Sequence, residues 1–411
     1  MEEQSLSRIV ESKVASVAIT DMHTHLFPPS FGSLQMSGAN HVLTYHYLIA
    51  EAFRTGATDP KAFWKLSTSA QADWIYHRLF QEMSPLSEAA SGVVEIARQF
   101  SVNLQVDGLL GLRGALSEDA NDEYIDRILK MAGVDNVVMT NDPFDPVERG
   151  YWENKTPLNP HFVPALRLDP LVNQWTQAAS TLSSLGYRVS PEFQDGRVVE
   201  VRRFLEDWVN RMAPVYLAIS LPDSFDFPDL SVRSRLLEAV ILPLCRQHKL
   251  PLALMIGAKR QVNPSLGPAG DSTGKAAMTP LENLCRDFPD NKFLVSLLSR
   301  ENQHELIVTA RKFGNLMPFG CWWFLNTDTL VEEIMRMRVE LIGPTFIAQH
   351  SDARVLEHLI YKWARTRRVV ARVLVDKYQK LAKVGWTVDS ARIEADVKAL
   401  FQQNFWDFAS R

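Results

Sequence analysis

The sequence predicts an α/β protein built on a (β/α)8 barrel, the TIM-barrel fold, with a helical insertion after the first strand. Short β-rich apolar runs alternate with amphipathic, charged stretches along the chain, a pattern typical of a parallel sheet covered by helices. Eight such runs occur, and eight parallel strands close a barrel. A doubly wound open sheet is the alternative, but no glycine-rich phosphate-binding motif follows any of the runs.

The predicted strands share a high content of apolar residues, and in chain order they are Val14–Asp21, Asn136–Thr140, Phe162–Leu168, Val215–Leu221, Leu250–Gly257, Lys292–Leu298, Asn315–Cys321 and Thr345–His350. Several are continuous apolar runs, such as VYLAIS, PLALMI and FLVSLL. Such runs indicate strands that are covered on both faces. Between the strands, helices are predicted at Glu123–Ala132, Val232–His248, Glu301–Phe313 and Thr329–Glu340.

The first two predicted strands are much further apart than a simple strand–helix connection requires. Within this gap, residues 38–100 are rich in helix formers and in apolar positions that include tryptophan. We therefore expect residues 38–100 to form a helical insertion over the carboxyl-terminal mouth of the barrel. Residues 1–37 and 101–411 would form the barrel itself, together with C-terminal helices.

Charge and composition favour an enzyme that acts on a small molecule. The 411 residues include 44 Lys and Arg and 48 Asp and Glu, for a formal net charge of −4 at pH 7. A nearly neutral balance gives no electrostatic footprint for nucleic acid or an anionic membrane. The basic run beyond Ala353 is interpreted as the solvated face of a long helix. Assembly into a homo-oligomer is left open.

Several features predict a cytoplasmic location. The chain has three widely spaced cysteines, Cys245, Cys285 and Cys321, without a CxxC pattern, which is typical of a reducing compartment. Its N-terminus is acidic where a signal peptide would be basic. The longest apolar stretch, Leu236–Leu244, is far shorter than the ~20 residues of a membrane helix.

The end of the first strand carries a candidate metal site. In the segment VAITDMHTHLFP, strand alternation predicts Asp21, His23 and His25 on one side. Two neutral imidazoles two residues apart can bind one divalent ion. The alternative is a polar strand end with hydrogen-bonded histidines. The position at the end of a barrel strand favours a metal site.

The eighth strand supplies a third candidate ligand. Asp352 follows the apolar part of TFIAQHSDAR, where a barrel strand opens into its catalytic face. A metal held by two histidines and a carboxylate leaves room for water or substrate oxygens. Asp352 could instead cap the following helix, as could Ser351. Beside it, Arg354 could bind a carboxylate through two parallel hydrogen bonds.

Six segments of the chain resemble the uronate isomerases, also called glucuronate isomerases, a branch of the amidohydrolase superfamily. The clearest are DMHTH, HSDAR and FGCWWF, and the others are YHYLIAEAFRTGA, TNDPFDP and ALRLDP. The resemblance implies a barrel of the metal-dependent amidohydrolase type that binds one divalent metal. It also implies interconversion of a hexuronate and its ketouronate through an enediol. Zinc is the first expectation for the metal and manganese the alternative.

The resemblance implies a role for further residues. Besides the metal ligands His23, His25 and Asp352, it places the active-site tyrosine on Tyr47 and the substrate-binding arginine on Arg167. Either Asp352 or Tyr47 would be the base that removes the carbon-bound proton. The remaining predicted substrate contacts are Arg354, Asp223 and Trp322. For Tyr47 and Trp322, packing in the core is the alternative.

One position departs from the pattern of the family. The fifth strand reads LALMIGAKR, with Met255 where these isomerases usually have a histidine. A thioether cannot donate a hydrogen bond and is a poor ligand for a hard metal. Two alternatives therefore stay open: a metal-dependent hydrolase or decarboxylase on the same barrel, and a sugar-acid-binding relative without catalysis.

Overall fold

A computed structural model describes residues 3–56, 59–193 and 198–410. Residues 57–58 of the predicted insertion, together with 1–2, 194–197 and 411, lie outside this description. The described strands are β1 (Ile19–Thr24), β2 (Val134–Asn141), β3 (Phe162–Arg167), β4 (Leu217–Pro222), β5 (Leu252–Lys259), β6 (Ser272–Thr273), β7 (Phe293–Leu297) and β8 (Leu316–Pro318).

Seven of these strands form one curled parallel sheet in the order β1-β2-β3-β4-β5-β7-β8, and the short β6 pairs antiparallel with β5. The predicted parallel α/β architecture is thus confirmed. The strands are covered on both faces, since every residue of β1 and β7 is buried. This explains why the strand sequences are almost continuously apolar.

The segment 345–353 connects the two ends of the sheet by backbone hydrogen bonds. On one side, Ile347 N donates to Pro318 O (3.0 Å) next to β8. On the other side, Asp352 N donates to His23 O (3.2 Å) and His25 N donates to Ala353 O (2.8 Å). The predicted strand Thr345–His350 is therefore in place but is not a regular strand, because it makes only one bridge, between Ile347 and Phe319.

The start of the first strand differs from the prediction. Val14 and its neighbours belong to a helix that ends at Ser16, and the strand begins only at Ile19. Val14 is buried in the core together with Leu6 and Val10. A period of four residues buries one face of a helix, and the apolar spacing of residues 6–14 is helical, not alternating.

The described helices surround the sheet, and their bounds are α1 (Glu3–Ser16), α2 (Ala39–Leu43), α3 (His46–Arg54), α4 (Pro60–Phe63), α5 (Thr68–Tyr76), α6 (Glu88–Gln99), α7 (Gly108–Ala115), α8 (Asp122–Ala132), α9 (Pro146–Glu153), α10 (Asp169–Asn173), α11 (Trp175–Ser184), α12 (Val198–Met212), α13 (Val232–Leu236), α14 (Leu242–His248), α15 (Thr279–Asp287), α16 (Gln303–Ala310), α17 (Asp328–Ile342), α18 (His358–Lys383), α19 (Ser390–Lys398) and α20 (Asn404–Ser410). Helices α2 to α8 all lie between β1 and β2 in the sequence. None of the described helices is both long and apolar enough to cross a membrane.

Helix α8 illustrates how local sequence determines these elements. The Asn121 side chain accepts a hydrogen bond from Tyr124 N (2.9 Å) and caps the first turn. The helix ends at Gly133, whose φ of 68° lies in the left-handed region that glycine adopts without strain. Between these ends, Ile125, Ile128 and Leu129 recur at helical spacing and are buried.

The interior of the sheet holds a separate apolar cluster, here called the inner cluster, which consists of Met22, Val138, Ala165, Tyr216, Ala218, Ala253, Met255, Ala258, Leu294, Leu298, Phe319, Trp322, Trp323, Ile347, Phe405 and Phe408. Phe405 and Phe408 come from α20 at the C-terminus of the chain. The neighbouring Trp406 donates from Nε1 to Thr20 Oγ1 (2.9 Å) in β1. Helix α20 therefore covers the amino ends of the strands and leaves their carboxyl ends accessible.

The basic C-terminal run forms α18, as predicted, but its charges are largely engaged within the protein. Lys362 is buried, and its Nζ donates to Ser351 O (2.7 Å). Arg367 donates to the backbone oxygens of Val17 and Gly133. The interpretation as a fully solvated face is thus wrong for these two residues, because helix α18 packs against the core.

Candidate active site

The two histidines of DMHTH lie at the carboxyl end of β1, where the pairing of β1 with β2 is irregular. The register shifts between Asp21 and Thr24. Strand alternation predicted Asp21 on the side of the histidines, but its carboxylate accepts hydrogen bonds from Ser351 N (3.0 Å) and Trp363 Nε1 (2.9 Å). Asp21 thereby ties β1 to segment 345–353 and to α18.

His23, His25 and Asp352 come together, as the sequence predicted. Their potential ligand atoms all lie within 4.8 Å of one another. Asp352 Oδ1 is 3.3 Å from His25 Nε2 and 3.8 Å from His23 Nε2. This oxygen is buried and accepts no hydrogen bond from the described residues. A buried, unpartnered carboxylate oxygen facing two imidazole nitrogens is a donor set that fits a divalent cation.

Hydroxyl groups determine which nitrogen of each histidine is free. Tyr216 donates its hydroxyl proton to Met22 O (2.7 Å), so its oxygen accepts from His23 Nδ1 (3.2 Å). Thr140 in the same way donates to Thr24 O (3.0 Å) and accepts from His25 Nδ1 (2.9 Å). With Nδ1 protonated in both rings, the lone pairs of the two Nε2 atoms remain available to a metal.

The protonation states also suit metal binding. Burial lowers the pKa of His25 to about 4, helped by the positive charge of Arg354, and burial lowers the pKa of His23 well below its usual value. Burial alone would raise the pKa of Asp352, but His25 and His23 beside it hold this pKa well below its usual range. Two neutral imidazoles and a carboxylate are the forms that coordinate metals.

Asp352 has an unusual backbone conformation. Its φ of 51° lies in the left-handed region, which is rare for residues other than glycine. The backbone hydrogen bond from Asp352 N to His23 O holds this conformation in place. Such outliers occur where the surrounding structure fixes a functional side chain.

A cavity of about 830 Å³ opens at the carboxyl ends of the strands. His46, Arg167, Trp323 and Arg354 are among the residues that line it. The charges of Arg354 and Arg167 on this wall lower the pKa of His25. A concave site with a few convergent polar groups is typical of small-molecule binding.

The two predicted carboxylate-binding arginines differ in their partners. Arg167 donates from Nε and Nη2 to Asp169 Oδ2 (3.0 and 2.7 Å). Asp169 in turn accepts from Ser220 N (2.7 Å), which fixes the pair to β4. Arg354, in contrast, makes no hydrogen bond or ion pair with the described residues. Arg354 therefore offers the cavity a full, unneutralised guanidinium.

Tyr47 lies in the second position of α3, next to His46. Its hydroxyl is buried without a hydrogen-bond partner among the described residues. Burial raises the pKa of this phenol well above its usual value, and Tyr45 and Asp352 add to the increase. The side chain is consequently a neutral phenol, a form that donates a hydrogen bond and does not accept a proton.

The structure places two of the predicted site residues, Arg167 and Arg354, on the cavity wall; the others, His23, His25, Asp352, Tyr47, Asp223 and Trp322, are not among its lining residues. Asp223 forms an ion pair with Lys259 (3.4 Å), and Trp322 and Met255 are buried in the inner cluster. The residue of the tryptophan pair on the cavity wall is Trp323. Gly320, with a φ of 56°, makes the turn before the pair, and a Cβ there would overlap the His350 ring. Trp323 itself has a φ of 48°, so the backbone is left-handed at two positions of this segment.

Comparison with solved structures identifies a full-length relative. A uronate isomerase of Bacillus halodurans is 46% identical to this chain, with a TM-score of 0.97, and the match covers 100% of this chain and 97% of that one. The chain belongs to the uronate isomerase family. No protein-family model matches the sequence, and no curated protein matches it either.

Two more distant structures share the fold of this uronate isomerase family member. One is a uronate isomerase of Thermotoga maritima, with 15% identity, a TM-score of 0.77 and coverage of 98% of this chain and 97% of that one. The other is a glucuronate isomerase of Caulobacter crescentus, with 14% identity, a TM-score of 0.76 and coverage of 99% and 94%. The resemblance inferred from short sequence motifs is thereby confirmed.

Sequence reasoning missed some residues of this family member's site. His46 lines the cavity, and burial lowers its pKa well below its usual value. Its signal was its place beside Tyr47 at the start of an aromatic helix. Tyr216, just before β4, and Thr140, in β2, contact the histidines, and no sequence spacing indicates their positions.

Proposed function

We propose that this chain is an aldose–ketose isomerase that interconverts a hexuronate, of the glucuronate or galacturonate type, and the corresponding ketouronate. The observation that carries the proposal is the convergence of His23, His25 and Asp352 in a chain 46% identical to a uronate isomerase. The reaction moves a proton between C1 and C2 through an enediol. It needs a base at the carbon and charge stabilisation at the two oxygens.

The three clustered side chains would hold one divalent cation, with zinc the first candidate and manganese the second. A bound cation would polarise the substrate oxygens and stabilise the charge that develops on them. Asp352 would remove the proton from C2 and return it to C1, because its carboxylate is ionised. Two neutral imidazoles leave that negative charge available.

Tyr47 and the arginines would serve the rest of the substrate. As a neutral phenol without a partner, Tyr47 would donate a hydrogen bond to a substrate oxygen. Arg354 would bind the carboxylate through its planar guanidinium, and Arg167, held by Asp169, would orient it. Trp323 would form the wall along the sugar. Asp223 and Trp322 would support the site from outside the cavity.

We also propose the finer architecture predicted from the sequence. Segment 345–353 would complete a (β/α)8 barrel of the amidohydrolase type, in line with its hydrogen bonds to both ends of the sheet. Residues 38–100 would form an insertion over the mouth. Contacts of this region with distant loops support that placement: Trp64 Nε1 donates to Ser265 O (3.0 Å), and the Tyr47 ring lies 6.4 Å from Phe324.

The proposed setting is the cytoplasm, with a small sugar acid as the partner and no nucleic acid or membrane. The three cysteines are free and buried. Burial raises the pKa of Cys245 to about 12, so its thiol is poorly suited to redox chemistry. Whether the chain forms a homo-oligomer stays a prediction.

Product analysis tests this function. The zinc- or manganese-loaded protein is incubated with glucuronate and with galacturonate, and the products are identified by NMR. We expect the ketouronate from at least one of them, and no conversion by a His23→Ala/His25→Ala double variant that keeps its fold by circular dichroism. Release of carbon dioxide or of a hydrolysis product would instead favour a decarboxylase or hydrolase. Binding of sugar acids without turnover would contradict the isomerase proposal.

A further inference from the structure

The cavity is lined by four arginines and three aspartates, so its wall has a formal excess of one positive charge. The arginines are Arg167, Arg233, Arg260 and Arg354. Two of them are neutralised within the protein: Arg167 by Asp169 and Arg260 by Asp271 (2.6 Å). The third acidic residue on the wall, Asp142, also raises the pKa of Arg167 through its negative charge.

Arg233 and Arg354 are not paired with a carboxylate, although the nearby Asp229 partly offsets the charge of Arg233. Neither forms an ion pair within the part of the chain that the structure describes. Arg354 stands two residues beyond Asp352 and serves the carboxylate of the proposed substrate. Arg233 has no role in that reaction.

Arg233 is held in place by neutral groups. Its Nε donates to Val172 O (3.2 Å) and its Nη2 donates to Asn173 Oδ1 (3.0 Å). These acceptors orient the guanidinium without neutralising it, and they leave Nη1 for a ligand. The residue is half-buried, and burial lowers its pKa. A partly desolvated cation without a partner gains by binding an anion.

The two unpaired arginines are on opposite sides of the mouth. Arg233 follows β4, whereas Arg354 follows segment 345–353, which lies between β8 and β1. Between these positions along the sheet come β5, β7 and β8, with neighbouring strands ~4.8 Å apart. This separation along the sheet favours a separate anionic group at each guanidinium.

The volume of the cavity also favours a ligand larger than a single hexuronate. A volume of about 830 Å³ lies in the upper part of the ~300–1,000 Å³ range of sites that hold drug-sized ligands. An open-chain monosaccharide is considerably smaller than such ligands. The side of the cavity that Asn173 and Arg233 line would remain free beside a hexuronate bound at Arg354.

We propose that Arg233, held in place by Asn173, forms a second anion-binding subsite, so that the preferred ligand is a hexuronate with an additional anionic substituent. The substituent is either a second uronate unit or a phosphate ester, since both present oxygen anions to a guanidinium. The inference rests on the proposed function, because that function places the reacting end of the sugar at His23, His25 and Asp352.

Binding of matched probes tests the subsite. Dissociation constants of the zinc-loaded protein are measured by calorimetry for galacturonate, for digalacturonate and for galacturonic acid 4-phosphate, whose phosphate leaves C1 and C2 free. A charge-assisted hydrogen bond corresponds to about tenfold or more in affinity, so we expect at least one doubly anionic probe to bind about tenfold more tightly than galacturonate. The Arg233→Gln variant should bind the doubly anionic probe no more tightly than galacturonate. In Arg233→Lys, the ratio of the two affinities should be smaller than in the unaltered protein.

Arg235→Gln is the matched control, because Arg235 lies on the same helix, is exposed and does not line the cavity. This variant should keep the full ratio. Tighter binding of digalacturonate identifies the second uronate as the substituent, and tighter binding of only the phosphate identifies the ester.

Equal affinity for all three probes would overturn the subsite. It would also be overturned if Arg233→Gln kept the same preference for the doubly anionic probe over galacturonate as the unaltered protein. Because the readout is binding, this failure is distinct from failure of the isomerase proposal, which would show as absence of ketouronate from plain hexuronates.

Discussion

Two hydroxyl groups, on Tyr216 and Thr140, orient the histidines of the candidate metal site. Each hydroxyl donates a hydrogen bond to a backbone oxygen and accepts one from Nδ1 of a histidine. Removing such a partner commonly costs 10- to 100-fold in metal affinity. We expect Tyr216→Phe and Thr140→Val each to weaken zinc binding by about 10- to 100-fold in a competition titration with a chelator.

Tyr378→Phe is the control for these variants. Tyr378 also donates its hydroxyl to a neighbour, Asp396 Oδ2 (2.9 Å), but in a different part of the molecule. Zinc affinity should be unchanged in this variant. An unchanged affinity in Tyr216→Phe and Thr140→Val as well would mean that the hydroxyls do not position the ligands.

The different partners of Arg354 and Arg167 predict unequal effects of substitution by lysine. Lysine keeps the charge but loses the planar fork. Because Arg354 has no partner whereas Arg167 shares its charge with Asp169, the KM for a hexuronate should rise more in Arg354→Lys, by about tenfold, than in Arg167→Lys. Zinc content, measured by mass spectrometry, should be constant. A larger effect in Arg167→Lys would assign carboxylate binding to that residue.

At the residue scale, the sequence predicted the part of the site that is encoded locally. DMHTH and HSDAR each carry their ligands within a few residues at the end of a strand. The hydroxyl of Tyr216, in contrast, reaches His23 across 193 positions of the sequence. Which tryptophan of the pair faces the cavity was not visible in the motif, because the backbone there is left-handed at both Gly320 and Trp323, with φ of 56° and 48°.

Among the helices, α18 is tied to the region between β1 and β2 by a buried acid. Glu357 Oε1 accepts hydrogen bonds from Gly38 N (2.9 Å) and Tyr124 Oη (2.8 Å), and its Oε2 has no partner among the described residues. Burial raises the pKa of Glu357 to about 7. The folded state therefore retains a proton that the unfolded chain releases near pH 4.5.

This raised pKa predicts the direction of a pH effect. Between pH 4.5 and 7 the folded protein binds more protons than the unfolded chain, so this contribution to stability is present below pH 4.5 and is lost as the pH rises. In Glu357→Gln the group is always neutral. The free energy of unfolding of the unaltered protein, measured in urea, should therefore fall relative to this variant by up to about 3 kcal/mol across that window. Parallel curves for the two proteins would contradict the raised pKa.

At the element scale, periodicity predicted most strands and helices because their cores are built from regular apolar spacing. Strands β2 to β5 and helix α8 agree with the prediction within a few residues. The failures are at the ends of the sheet. Segment 345–353 has the composition of a strand, but tertiary contacts with β8 and β1 and the conformation of Asp352 replace regular pairing.

At the scale of the whole molecule, the C-terminus closes one end of the sheet and leaves the other for chemistry. Phe405 packs edge-on against Tyr216 with ring centres 6.2 Å apart, and Tyr216 contacts His23. We expect Phe405→Ala to lower the free energy of unfolding by about 3–5 kcal/mol, as for other large buried side chains. Zinc affinity should fall as well, because Tyr216 loses its support.

The exposed Trp386 offers a control for this variant. Its side chain is 67% exposed, so Trp386→Ala should change the free energy of unfolding by no more than about 0.5 kcal/mol. A loss in Phe405→Ala no larger than in this control would show that α20 is not essential for covering the amino ends of the strands.

The proposed metal centre, and with it the function of the molecule, is tested most directly by a metal titration of activity. Metal-stripped protein is titrated with zinc or manganese while ketouronate formation from a hexuronate is followed. We predict that activity rises linearly and saturates at one equivalent of metal, and that Asp352→Asn shows no activity at any metal concentration. Full activity without metal, or in Asp352→Asn, would contradict a centre formed by His23, His25 and Asp352.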